Sequence, residues 1–219
     1  MRTKILSIVD VVHSNVVFQR RLRVLAEAIA EVIPDDASIL DIGCGSGHLG
    51  ERIARLRSAK IEGIEVKPRS NCRLPYRGFD GQRLPYPDAS FDVCLLVDVL
   101  HHAASLRQLL NESARVARRC VVIKDHIYES RIDFGILRFM DWVGNAPHGI
   151  SLPYNYQNYD QWMRHFSACG LNVENWKEKL PLYPFPFSLI FSRRLHVVAL
   201  LTKGVGRLSR SSTIHGKTA

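Results

Sequence analysis

The stretch Leu40-Asp41-Ile42-Gly43-Cys44-Gly45-Ser46-Gly47-His48-Leu49-Gly50 closes an apolar run on an acid and then alternates glycines. That is the pattern of a strand turning sharply into a helix around a ligand. Glycine removes side chains where a ligand lies against the main chain, and the N–H groups opening the following helix point into the same space. A nucleotide-like molecule suits such a turn. One strand–helix step later, Ile61-Glu62-Gly63-Ile64-Glu65-Val66 ends in an acid, Glu65, placed to accept hydrogen bonds from both hydroxyls of a ribose. A third acid stands at Asp80-Gly81, ahead of Leu84-Pro85-Tyr86-Pro87-Asp88-Ala89-Ser90-Phe91-Asp92. The apolar run Val93-Cys94-Leu95-Leu96-Val97-Asp98 then leads into Val99-Leu100-His101-His102. Gly45-x-Gly47-x-x-Gly50 also satisfies the dinucleotide pattern G-x-G-x-x-G, so the glycines alone leave nicotinamide chemistry open.

These groups need a scaffold that brings strand ends together. The spacing of Val17, Leu22, Leu25, Ala26, Ile29, Val32 and Ile33 predicts an amphipathic helix over 16–33, ended before Pro34. Strands are expected near 38–42, 61–66, 77–79, 92–97 and 120–124, with helices over 47–57, 69–74 and 105–117 between them. Strand and helix in alternation mean a parallel sheet with helices on both faces. A last pair of strands is expected over Leu171–Lys179 and Leu195–Thr202.

Taken in order, the glycine loop with Asp41, Glu65, Asp80, the L-P-x-P-D-x-S-F-D segment and Val99-Leu100-His101-His102 resemble the class I S-adenosylmethionine-dependent methyltransferases. The likeness is to the branch that includes quinone-biosynthesis and other small-molecule enzymes, and it covers residues 37 to 125. It implies an α/β fold: a seven-stranded, mostly parallel Rossmann-like sheet, its last two strands an antiparallel hairpin at the edge. It also implies S-adenosyl-L-methionine as cofactor, with Asp41, Gly43, Gly45 and Gly47 around its methionine part, Glu65 on the ribose, Asp80 facing the adenine, and Gly81 and Asp98 as further cofactor-binding residues. The chain departs from the family at two points: Glu65 stands where Asp is frequent, and Ala117-Arg118-Arg119-Cys120 replaces a Pro-Gly-Gly turn before the fifth strand.

Methyl transfer from a sulfonium is an in-line displacement, so the protein chiefly aligns the acceptor and excludes water. A base at a strand's carboxyl end helps where the acceptor is a hydroxyl or an acidic carbon. Asp125-His126 ends the fifth strand and His101-His102 follows the fourth, and the two pairs are expected to converge over the transferred methyl as the catalytic residues. Residues 126–166 are crowded with aromatics and begin where ligands of an open sheet bind. They read as an acceptor-binding lid, with Trp142, His148, Tyr154 and Tyr156 as the substrate-binding residues. No H-x-x-x-H spacing or spare carboxylate cluster is visible, so no metal is expected.

The 219 residues suit one domain, 1–206, followed by a basic, Ser- and Gly-rich tail, 207–219, expected to be disordered. Asp10 breaks the N-terminal apolar run before a secretion signal forms, and Arg193-Arg194 interrupts the longest late apolar run. Five cysteines without C-x-x-C pairing fit reduced thiols and a cytoplasmic location. The net charge of +9 is dispersed over several segments and reads first as a solvated face, with an anionic acceptor, a peripheral contact with an anionic membrane, or nucleic acid as the functional alternatives. Against nucleic acid, Asp98-Val99-Leu100-His101 replaces the N/D-P-P-Y/F turn that grips a flipped base. The reading is thus a methyltransferase acting on a small molecule, lipidic or aromatic. The alternatives are an RNA or protein methyltransferase, a nicotinamide-dependent oxidoreductase, and a catalytically silent nucleotide-binding module.

Overall fold

The computed structural model describes residues 16–67, 71–145, 152–185, 188–191 and 194–204. The expected tail over 207–219 and His148 lie outside them. Helix α1 (Phe18–Ala30) leads into strand β1 (Ser38–Ile42), helix α2 (His48–Arg57), β2 (Lys60–Glu65) and β3 (Tyr76–Gly78). The chain continues through β4 (Phe91–Val97), a 3₁₀ turn at Leu100–His102, helix α3 (Leu106–Val116) and β5 (Ala117–His126). Helices α4 (Arg131–Asn145) and α5 (Tyr159–Ala168) precede β6 (Leu171–Lys177), a short α6 (Ser188–Phe191) and β7 (His196–Lys203).

The seven strands form one sheet in the order β3-β2-β1-β4-β5-β7-β6. The first five run parallel, while β7 is antiparallel to both β5 and β6. An antiparallel β7 inserted beside β5 departs from the all-parallel dinucleotide-binding order, which weakens the nicotinamide alternative. The expected hairpin is present, with β6 as its outer edge.

The central strands are apolar along their whole length because helices cover both faces. Side chains alternate between two cores. Leu40, Ile42, Cys94, Leu96, Val121 and Ile123 pack toward Leu110, Trp162 and Phe166. Ile39, Val93, Leu95, Cys120 and Val122 pack toward Leu25, Ile29 and Ile53. Each fully buried aliphatic side chain contributes about 1.5–3 kcal/mol, so the alternation fixes the register firmly.

Two local expectations are corrected. Strand β5 begins at Ala117 rather than 120, because Ala117 already pairs with Phe91 and Arg118 reaches Asp92 at 2.7 Å. Residues 71–74 form turns instead of the end of a helix over 69–74; Leu74 is buried there against the glycine loop, within 3.0 Å of where a Cβ on Gly47 would sit. Among the described residues no helix is long and apolar enough to cross a membrane.

Candidate functional site

Strands β1, β2, β4 and β5 all end at the same edge of the sheet, since Ile42 pairs with Ile64 and Leu96, and Val97 with Lys124. Two groups of side chains gather there.

The first surrounds the turn between β1 and α2. Gly43, Gly45 and Gly47 have φ of 72°, 55° and 74°, in the left-handed region that favours glycine. Two of them face different surroundings. A Cβ on Gly43 would sit 2.5 Å from Val99 Cγ2, whereas one on Gly45 would meet no atom within 4 Å. Gly43 is therefore required by packing, and Gly45 fronts an open cradle. At the lip of that cradle the Gly45 N–H donates to Glu65 Oε2 at 2.9 Å, and the Val66 N–H to Oε1 at 2.9 Å. Asp41 is buried beneath the turn, and burial, reinforced by the charge of Glu65, pushes its carboxyl up to about 7. Cys44 packs against Gly63, and burial pushes its thiol well up, which describes a packing residue rather than a reactive one.

Asp80 is exposed, and its Oδ1 accepts the N–H groups of Gln82 at 2.8 Å and Arg83 at 3.0 Å. These bonds keep its carboxyl below the usual range and tie it to the turn at Gly81, where φ is 79°. Asp98 adopts φ of 56° as the chain leaves β4. Burial alone would raise its pKa, but the ammonium of Lys124, which pairs with Oδ1, outweighs it and holds the carboxylate well below its ordinary range. Arg21 on α1 adds a second cation at 3.8 Å from Oδ2. An open glycine turn with a strand-end glutamate at its lip suits a ribose-bearing cofactor, with Asp98 further along the same edge.

The second group lies beyond β4 and β5. The Asp125 carboxylate is 1% exposed and accepts three hydrogen bonds. They come from Leu100 N–H at 3.0 Å, His126 N–H at 2.7 Å and His101 Nδ1–H at 2.6 Å. A carboxylate can only accept, so Nδ1 of His101 carries the proton and Nε2 points away from Asp125. It points toward α4, where Asp141 Oδ1 lies 3.9 Å from His101 Nε2 and 3.7 Å from His102 Nε2. The other Asp141 oxygen, Oδ2, accepts the Tyr156 O–H at 2.8 Å. Burial would lower the pKa of His101, but Asp125, Asp98 and Asp141 together raise it.

His126 packs beside His101, with ring centroids 4.6 Å apart, and its Nε2 lies 3.7 Å from Asp98 Oδ1. Its Nδ1 is within hydrogen-bond reach of His196 Nδ1 at 3.2 Å, and burial pushes both rings well below their ordinary pKa. Its backbone carbonyl accepts the Trp162 Nε1–H at 3.1 Å, anchoring α5 to the end of β5. Asp125 and His126, expected as acid–base residues, stand together at the end of β5, Asp125 accepting three hydrogen bonds and His126 buried between Asp98 and His196. Of the two adjacent histidines, His102 has the greater exposure, with 20% of its side chain accessible.

The cover is built from α4 and the segment 152–158. Tyr156 is buried against Leu137 and Phe134, and Tyr154 packs beside it under the guanidinium of Arg138, 4.7 Å from the ring centroid. Trp142 does not join them: it is 57% exposed because its neighbour Asp141 occupies the inward face of α4. Lys124, Asp141 and His196 were not singled out from the sequence. A lysine inside the apolar run of β5 and an acid one turn beyond Leu137 on a buried helix face were the available signals. Asp98, His101 and His126, and separately His101, His102 and Asp141, place their ligating atoms within 4.8 Å of one another. Their elements are distant in sequence, so no spacing rule reveals them.

A family model described as a methyltransferase domain matches residues 40–121. The 27-O-demethylrifamycin SV methyltransferase of Amycolatopsis mediterranei is 32% identical over 109 residues, covering 43% of this chain and 40% of its own length. The demethylmenaquinone methyltransferase of Tropheryma whipplei is 32% identical over 166 residues, 64% of this chain and 68% of its own length. The chain spans about two fifths or less of the length of the first curated relatives it matches. Among solved structures, a chain of the complex between the Haloferax volcanii Trm112 methyltransferase activator and a methyltransferase superposes with a TM-score of 0.68 at 17% identity. The match covers 85% of this chain and 91% of that one.

Proposed function

The chain belongs to the class I S-adenosylmethionine-dependent methyltransferases, and on that footing we propose that it methylates a small-molecule acceptor, lipidic or aromatic. The observation that carries this reading is the adjacency, on one sheet edge, of the open Gly45–Glu65 cradle and the His101–His102–Asp141 cluster under an aromatic cover. When bound, the cofactor supplies an electrophilic methyl group on a sulfonium.

The residues divide the remaining work. Glu65, whose oxygens accept from the Gly45 and Val66 N–H groups, would accept from the ribose hydroxyls, and Gly43, Gly45 and Gly47 would let the main chain approach the methionine part. Asp98 keeps its carboxylate charged on that side while Asp41 lies buried beneath the turn, with Asp80 and Gly81 at the adenine end. Asp125 is a positioning residue: it fixes the tautomer and direction of His101. His101, His102, Tyr154 and Tyr156 line the acceptor side, and closing that side against water raises the value of alignment. Two relatives bear the names of small-molecule acceptors, demethylmenaquinone and 27-O-demethylrifamycin SV, which supports the substrate class.

The outer face of α4 carries Ile132, Phe139 and Trp142, at 67%, 56% and 57% exposure, beside Arg131 and Arg138. Apolar and cationic groups on one helix face support a cytoplasmic protein that touches an anionic membrane, from which a lipidic acceptor is drawn. The test is incubation of the protein with methyl-labelled S-adenosylmethionine and a cell extract, followed by mass spectrometry of labelled products. Label is expected in an organic-soluble small molecule. Label confined to RNA or protein would replace this reading with the alternative acceptors.

A further inference from the structure

We propose that His101, His102 and Asp141 form a binding site for a divalent transition-metal ion on the acceptor side of the sheet edge. The ligating atoms are His101 Nε2, His102 Nε2 and Asp141 Oδ1. They lie within 4.8 Å of one another, with Asp141 Oδ1 at 3.9 Å and 3.7 Å from the two ring nitrogens. Ligand atoms about 2.1 Å from a tetrahedral ion are roughly 3.4 Å apart, so the two carboxylate–imidazole distances close by about 0.3–0.5 Å and the distance between the two imidazoles by about 1.4 Å at most.

The surroundings have the form that metal sites require. Asp125 accepts the Nδ1 proton of His101 at 2.6 Å, which fixes the ring with Nε2 toward Asp141. Tyr156 holds the non-ligating oxygen of Asp141 at 2.8 Å. Such hydrogen bonds behind the ligands set tautomer and direction. His102, with 20% of its side chain accessible, provides the way in.

Two imidazoles and one carboxylate form a donor set suited to Zn²⁺, Fe²⁺ or Mn²⁺, leaving positions for water or an anionic oxygen of an acceptor. The alternative trio Asp98, His101 and His126 is less suited to a cation. The Asp98 oxygen that faces His126 Nε2, Oδ1, is already taken by the buried ammonium of Lys124. The metal site stands on its own geometry; only its use in holding an acceptor oxygen rests on the methyl-transfer reading.

The experiment uses the full chain treated with chelator, then titrated with Co²⁺ and followed by visible absorption, and with Zn²⁺ by calorimetry. One ion per chain is expected. His102→Gln and Asp141→Asn should each weaken binding by at least about 100-fold, while His165→Gln on α5 leaves it unchanged. Circular dichroism establishes that the variants fold. If they do not, metal-dependent shifts of the His101 and His102 ring resonances in the unmutated chain decide the matter. Absence of stoichiometric binding, binding that survives both substitutions, or loss on Asp98→Asn with retention on Asp141→Asn would overturn the site. S-adenosylhomocysteine titrated into the same metal-free protein tests the methyltransferase reading separately, so failure of one is distinguishable from failure of the other.

Discussion

The two halves of the site are built in opposite ways. On the cofactor side, a turn and the next strand end suffice: Gly45 and Glu65 are 20 residues apart and touch directly at 2.9 Å. Gly45 there fronts open space, while Gly43 and Asp41 are packed beneath it. On the acceptor side, the 3₁₀ turn after β4, β5, α4 and the segment before α5 each contribute one or two residues, and those residues are already in contact with one another. Asp125 has three donors and Asp141 holds Tyr156. The first half is a socket whose binding energy comes from the ligand. The second is a preorganised polar network whose energy is spent within the protein before any ligand arrives.

If that contrast holds, substitutions on the acceptor side should cost stability and those on the cofactor side should cost affinity. The largest effect is expected for Asp125→Ala, which leaves three donors beside a buried void and should lower unfolding free energy by about 3–5 kcal/mol. Denaturant unfolding measures it, and a loss under 1 kcal/mol would remove the network from the account. Asp41 is next. Its folded pKa of about 7 exceeds the ordinary 3.8, so the folded state binds more protons between those values and stability falls as pH rises through that window. Above pH 7 the full penalty, up to roughly 4 kcal/mol, is present. Asp41→Asn should therefore gain most stability relative to the parent at pH 8 and least at pH 4, as followed by thermal unfolding across pH. A pH-independent difference would mean that the carboxyl does not titrate there.

Glu65→Ala should leave stability nearly intact and weaken cofactor binding by about 2–3 kcal/mol, the worth of charge-assisted bonds to two hydroxyls. Trp142→Ser is the smallest. The side chain is 57% exposed, so stability should change by no more than about 0.5 kcal/mol. Vesicle co-sedimentation, in contrast, should fall if the outer face of α4 meets a membrane. Unchanged sedimentation on anionic vesicles would confine α4 to its role as a cover.

The contrast also explains what the sequence disclosed. Glycines at positive φ and a strand-ending acid leave a local trace, because turn geometry and strand period operate over a few residues. The sheet itself was legible for the same reason: Val93 to Val97 and Val121 to Ile123 are runs that only a strand covered on both faces tolerates. The acceptor side was legible only in part. His101, His102, Asp125 and Tyr156 stood out by type and by their place near strand ends or in the aromatic segment, but their division of labour depends on which atom meets which partner. Asp125 holds three donors, and His126 meets His196 through Nδ1 and Asp98 through Nε2. Asp141 drew no notice because its neighbours in sequence are apolar or aromatic, and its partners come from other elements.

The central claim is that the Gly45–Glu65 cradle holds S-adenosylmethionine, and isothermal calorimetry on the intact chain tests it most directly. Titration with S-adenosylmethionine and S-adenosylhomocysteine should show one site per chain, at least about 30-fold weaker in Glu65→Ala, with no heat from NADH. Saturable NADH binding, or S-adenosylhomocysteine affinity unchanged by Glu65→Ala, would contradict the account.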